Sequence, residues 1–210
     1  MYPGTVRLVS VNVGRIVDGT AIDKQPFVGP VSVGAEGVAG DEIGSPKHHG
    51  GPDQAVYAYG TVDYAWWSAE LGRELPPATF GENLTIDGLE SGSCSIGDRL
   101  AIGTALFEVT APRIPCGTLA ARMGDENFAR RFRDARRPGI YLRVLQQGVV
   151  TVGDPVAFTP APPGALPLLE LQDLFYRRNA TKVAIERALA APIAIRDRQH
   201  LERRLAKAVR

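Results

Sequence analysis

Short runs of alternating apolar and polar residues, each ended by a glycine-containing turn, recur as far as residue 153. Residues 6–13 alternate and then meet Gly14, and residues 54–59 repeat the pattern. Residues 83–86 run into Asp87-Gly88, residues 99–102 into Gly103, and residues 105–110 follow. Residues 139–145 precede Gln147-Gly148, and residues 149–152 precede Gly153-Asp154. A period of two puts one face of each segment into a core, which is the signature of a strand, and Asp-Gly is a strong turn signal. The 23 glycines and 16 prolines show no repeat period, so they read as many short turns. The expectation is a mainly β fold whose strands form a closed or nearly closed barrel, with a few peripheral helices.

Two helical patterns interrupt the strands. Residues 61–71 set Tyr64, Trp67 and Leu71 on one face, with Thr61 or Asp63 available as a cap. Residues 125–135 set Phe128 and Phe132 one turn apart, with Asp125 as the cap and Arg130, Arg131 and Arg133 on the other face. Residues 160–164, Pro-Ala-Pro-Pro-Gly, read as a linker. Beyond it Leu168, Leu171 and Phe175 return at helical spacing. Val183 and Ile185 fall in a second helix after Thr181, and Leu201, Leu205 and Val209 in a third after Asp197. The chain therefore divides into a 1–160 β domain and a 165–210 three-helix appendage, which is too small to be stable alone and must dock.

Apolar content of 44% and charged content of 22% exclude a disordered or fibrous chain. Two cysteines make no disulfide framework and suit free thiols in a reducing compartment. The start lacks a basic region followed by an apolar one, and nothing approaches the roughly 18 apolar residues of a membrane span, so a cytoplasmic protein with no membrane partner is expected. Charge is uneven: residues 1–176 carry −6 and residues 177–210 carry +7. A basic tail can bind nucleic acid, but no nucleic-acid motif accompanies it, and a solvated helical face is the expected reading.

Three loops carry residues with chemistry. The first holds Gly40-Asp41 and then Lys47-His48-His49-Gly50-Gly51-Pro52-Asp53. Its two glycines allow positive φ or close backbone approach to a ligand, with His49 and Asp53 beside them. The same residues also serve as a turn in which His and Asp cap backbone groups. The adjacent histidines are weak evidence for zinc. The second loop is Phe80-Gly81-Glu82-Asn83-Leu84, and Asn83 there can equally satisfy backbone groups. The third is Ala111-Pro112-Arg113-Ile114-Pro115-Cys116-Gly117. Its prolines stiffen the approach to Cys116, and neighbouring arginines favour the thiolate, the form that binds soft metals or attacks electrophiles. An inert buried thiol is the alternative, and it is the expected one for Cys94. No Walker loop, dinucleotide fingerprint or nucleophile elbow is present.

In order and spacing these pieces resemble the MOSC family, named for the C-terminal domain of molybdenum cofactor sulfurases. The resemblance rests on Gly40-Asp41-Glu42, the stretch from His49 to Val56, Phe80 to Leu84, Ile96-Gly97-Asp98 and Pro112 to Cys116. It is closest to the stand-alone YiiM-type bacterial members, which carry a short three-helix domain after the barrel. The resemblance implies a barrel related to that of pyruvate kinase and a bound molybdenum cofactor (molybdopterin), with Cys116 as the sulfur ligand to the metal. Pyridoxal phosphate is not expected. Arg113, Gly50, Gly51 and Asn83 become candidate cofactor-binding residues, and His49 and Asp53 join Cys116 as catalytic candidates. The implied activity is reduction of N-hydroxylated small molecules, including hydroxylamino-purine base analogues, and so their detoxification. Electrons would come from a separate flavin or iron–sulfur donor. A sulfur carrier using a Cys116 persulfide and a non-catalytic binding module remain as other readings. Nucleic acid is not an expected partner, and a homodimer stays open.

Overall fold

The structure, a computed structural model, describes residues 6–46, 49–177 and 179–208. Lys47, His48 and Val209, which entered the readings above, lie outside the described residues.

The first strands are β1 (Leu8–Val13), β2 (Gln25–Pro26), β3 (Val31–Gly34), β4 (Gly37–Val38) and β5 (Val56–Gly60). Helix α1 (Thr61–Leu71) leads to β6 (Leu84–Ile86), β7 (Arg99–Ile102) and β8 (Ala105–Pro112). Helices α2 (Gly117–Met123) and α3 (Phe128–Asp134) precede β9 (Ile140–Gln146), β10 (Gly148–Val150) and β11 (Val156–Thr159). The chain ends in α4 (Leu168–Tyr176), α5 (Lys182–Ala190) and α6 (Ile195–Ala208).

Eight strands form one sheet in the order β11-β7-β8-β9-β5-β6-β1-β2, and β10, β3 and β4 form a smaller one. Of the expected closed or nearly closed barrel, full closure is corrected here. Between β11 and β1 there is only an isolated Arg7–Pro155 bridge with short flanking bonds, such as Leu8 N–H to the Asp154 carbonyl at 2.9 Å. The mainly β expectation is corrected as well: six helices accompany the strands among the described residues, giving a mixed α/β fold. The reason lies at β5 and β6, which run parallel. A parallel pair cannot be joined by a hairpin, so the chain crosses over through α1. That helix is part of the sheet's connectivity rather than an interruption of it.

Two apolar clusters hold the fold. The larger fills the space under the sheet and continues into Leu168, Leu171, Leu174, Ile185 and Leu201 of the tail helices. Cys94 packs inside it and is 1% exposed. The second is aromatic and contains Tyr57, Tyr59, Tyr64, Trp67, Phe80, Phe128 and Phe132. Trp67 stacks on Phe132 at 5.9 Å and 11°, so the expected faces of α1 and α3 meet each other. Cys116 and Tyr141 pack against this cluster, which thus forms the floor beneath the third loop.

Several helix starts differ from expectation. Neither Thr61 nor Asp63 caps α1. Asp63 is buried and accepts from the Ser91 amide (3.0 Å) and hydroxyl (2.5 Å) while pairing with Arg137 at 2.7 Å. Asp125 instead bonds the Asn127 amide at 2.8 Å, so α3 begins three residues later than its pattern. Thr181 does cap α5, accepting from Ala184 N–H at 3.2 Å. The basic tail is largely spent on its own framework. Arg198 donates to the Leu189 and Ala191 carbonyls at 2.8 and 2.9 Å, Arg204 to those of Leu174 and Arg177, and Arg187 grips Glu170. Arg204 and Arg198 thereby satisfy carbonyls at the ends of α4 and α5. Among the described residues no helix is long and apolar enough to cross a membrane.

Candidate active site

The ends of β5, β8 and β9 and the loops before β2 and β5 line a half-open pocket of about 140 Å³. Cys116 lines it at the end of the stiff Pro112–Pro115 approach, directly before α2. Its thiol is half-buried. Burial alone would push the thiol up. Against that, a hydrogen bond from the His49 imidazole, the Leu119 backbone N–H and the Arg113 charge pull it down to about 6, from an ordinary 9.0. At neutral pH the sulfur is mostly thiolate.

Arg113 is only 5% exposed yet lines the same pocket. One Nη donates to the Phe80 carbonyl, and the guanidinium lies 5.0 Å over the Tyr57 ring. Burial works against its charge, but the fields of Tyr57, Tyr141 and Cys116 outweigh it and hold the group protonated. Its buried Nε has no hydrogen-bond partner. A buried cation lining a cavity, with one donor left unspent, suits an anion.

The opposite wall is a closed polar network. Asp41 accepts from the Gly14 amide at 2.7 Å, from the Lys24 ammonium, and from the Asn83 side-chain amide at 2.8 Å. Asn83 also donates to the Asn12 carbonyl (3.3 Å) and accepts from Tyr57 N–H (3.1 Å), tying β6 to β1 and β5. Burial lowers the Lys24 pKa, with Asp41 opposing. Glu82, next in the same motif, is wholly buried under Tyr64, Ala78 and Thr85, and burial pushes its carboxyl up. Asn83 therefore touches the pocket with its amide already committed, and Glu82 braces the loop behind it.

Residues 45–157 match the MOSC domain, just over half the chain. The chain belongs to the MOSC family. It is 37% identical to YflK of Bacillus subtilis (strain 168) over 134 residues, which is 64% of this chain and 61% of YflK. It is 34% identical to a protein named Reductase from Gibberella moniliformis (strain M3125 / FGSC 7600) over 185 residues, 83% of this chain but 33% of that one. The chain thus spans less than two thirds of either relative's length. The crystal structure of YiiM from Geobacillus stearothermophilus superposes with a TM-score of 0.81 at 30% identity, covering 95% of this chain and 99% of that one. The protein is a YiiM-like member of the family, and most of the helical tail lies within the superposed part.

Within this MOSC chain the structure gathers His49, Gly50, Asn83, Arg113 and Cys116 around one cavity. It does not bring Asp53, expected to be catalytic, into the lining of that cavity. The Asp53 carboxylate pairs with Arg143 at 3.0 Å and accepts from the Ile195 amide at 2.8 Å, so it is committed to fastening α6. Gly51 also lies outside the pocket lining; at φ 84° it makes the bend into the one-turn 3-10 helix Pro52–Gln54. Gly50 sits at φ 72°, a left-handed conformation that favours glycine, and a Cβ there would also make the tip of the Ile43 side chain move. Four residues escaped the sequence reading. Tyr57 and Tyr141 were hidden as ordinary strand alternation, and Lys24 lay in a loop with no motif. Arg196, in the basic tail, donates to the loop that carries His49. Among the described residues no three His, Cys, Asp or Glu side chains cluster as a metal-ligand set. A cofactor that brings its own ligands and asks one sulfur of the protein fits such a donor set.

Proposed function

We propose that this chain binds a molybdenum cofactor and reduces N-hydroxylated small molecules, such as hydroxylamino-purine base analogues, in the cytoplasm. The observation that carries the reading is the thiolate-prone Cys116 and the buried, partly unspent Arg113 sharing one pocket. A soft thiolate suits the metal, and a guanidinium suits the phosphate of the pterin. Cys116 Sγ would hold the metal, while Arg113 and Gly50, which line the same pocket, would hold the anionic and pterin parts. Asn83 serves one step back, by keeping Asp41 and β5 in place. When bound, the group supplies the two-electron redox change.

Reduction of R–NHOH to R–NH2 breaks the N–O bond, takes up two electrons and two protons, and releases water. His49 is the group on this face able to hold a proton at a ring nitrogen and pass it to the departing hydroxyl. Two cysteines cannot hold a four-thiolate cluster, so a separate flavin or iron–sulfur protein delivers the electrons. The relative named Reductase, of which this chain spans a third, supports the reaction class. In this reading the division into a 1–160 catalytic unit and a 165–210 tail is one of form only, because the tail braces the site loop.

Elemental and pterin analysis of protein made in a cofactor-competent host, paired with a reductase assay, tests the proposal. Wild type retains molybdenum and Cys116→Ser loses it; a Ser variant that keeps full metal and activity refutes it. The depressed thiol pKa also suits a persulfide carrier. Metal-free wild type bearing cyanide-labile sulfur at Cys116 would favour that second reading.

A further inference from the structure

Arg196, the second residue of α6, reaches across to the loop that carries His49. One Nη donates to the Gly50 carbonyl at 2.7 Å and to Gln54 Oε1 at 2.8 Å. The other donates to the Pro46 carbonyl at 2.6 Å and the His49 carbonyl at 3.2 Å. A single planar fork therefore holds backbone on both sides of the imidazole. The root of that fork is itself fixed. Ala194 N–H donates to the Thr110 carbonyl at 3.1 Å, and Ile195 N–H to Asp53 at 2.8 Å. Arg143 of β9 reaches the Pro192 carbonyl at 3.3 Å. Thr110 lies on β8, which runs into the Cys116 loop, and Tyr141 of the pocket lies on β9. The strands under the thiol thus hold the residue that holds the histidine loop. Arg198 and Arg204, from the same helix, spend their guanidinia on carbonyls of the tail instead.

We propose that Arg196 is a positioning residue of the site: its fork fixes the carbonyls of Pro46, His49 and Gly50 and so aims His49 at Cys116. The tail is then a strut of the pocket, and a short-range point charge in place of the planar fork cannot satisfy the same set of carbonyls. The inference rests on the reading of His49 and Cys116 as the working face.

The test compares full-length wild type, Arg196→Lys and Arg198→Ala by residue-resolved amide exchange and by pterin retained per chain. The His49 amide is bonded to the Ser45 carbonyl and the Gln54 amide to that of Gly51, so both report the loop. In Arg196→Lys their exchange rises about tenfold, amides of β8 stay protected, and pterin retention falls several-fold. Arg198→Ala, which loosens the tail without touching the loop, leaves His49 and Gln54 unchanged. The proposal is overturned by His49 exchange within twofold of wild type in Arg196→Lys. It is equally overturned by the same rise in Arg198→Ala, or by a rise shared with β8. Wild type that holds no pterin defeats the cofactor reading alone, because the exchange comparison stands without it.

Discussion

Replacing His49 by Ala removes the largest interaction that favours the Cys116 thiolate, and the size of the effect can be worked out. Hydrogen bonds to a charged partner contribute about 1.5–3 kcal/mol, or about 1–2 pH units at 1.36 kcal/mol per unit. The sulfur is only half-buried, so solvent screening keeps the change near the lower end. Arg113 and the Leu119 amide stay in place. The titration midpoint should therefore move from about 6 in wild type to roughly 7. The assay is the pH profile of Cys116 alkylation by iodoacetamide, in a Cys94→Ser background so that one thiol reports. A rate at one pH misleads. At pH 7 the thiolate fraction falls from about 0.9 to about 0.5, but the more basic sulfur is about threefold more nucleophilic, so the rate at that pH rises slightly, by roughly 1.5-fold, although the thiolate is less populated. The midpoint separates them. The sign for stability follows from the same direction of shift. A thiol depressed in the folded state adds stability that is fully present above the ordinary value of 9.0 and is lost as pH falls through about 6. A His49→Ala midpoint equal to the wild-type one would refute the coupling between the double-glycine loop and the thiol.

Asp53→Asn weakens the pairing with Arg143 and the hold on Ile195, costing about 1 kcal/mol in urea denaturation, yet leaves the Cys116 midpoint in place; a shifted midpoint would return Asp53 to the site. Trp67→Ala opens the aromatic cluster, and loss of a wholly buried ring lowers stability by about 3–5 kcal/mol, read by the same denaturation. Gly50→Ala forces a side chain into a positive-φ position against Ile43, costing about 1–3 kcal/mol and loosening ligand retention more than the rest of the fold, as thermal melts with and without pterin will show.

What the sequence determined by itself was local. Alternation located β7, β8 and β9 almost to the residue, because one face of each meets a core, and helical spacing found α1 and the tail helices. The order of three loop motifs marked His49, Gly50, Arg113 and Cys116, which the fold brings to one cavity. Short β2 and β4 carry too few residues to show a period, and the seven-residue α2, starting at Gly117, has no cap signal. Tertiary structure alone decided the rest. A parallel β5–β6 pair is a property of two segments meeting, not of either one, so the open mixed sheet was invisible in the alternation. The same holds for Asp53 and Arg196. Each residue type is compatible with catalysis or with structure, and only the packing of α6 on the loop made one a fastener and the other the brace of the imidazole. A side chain's partners lie as far as 150 positions away along this chain, as between Arg196 and Pro46, and local sequence carries no record of them.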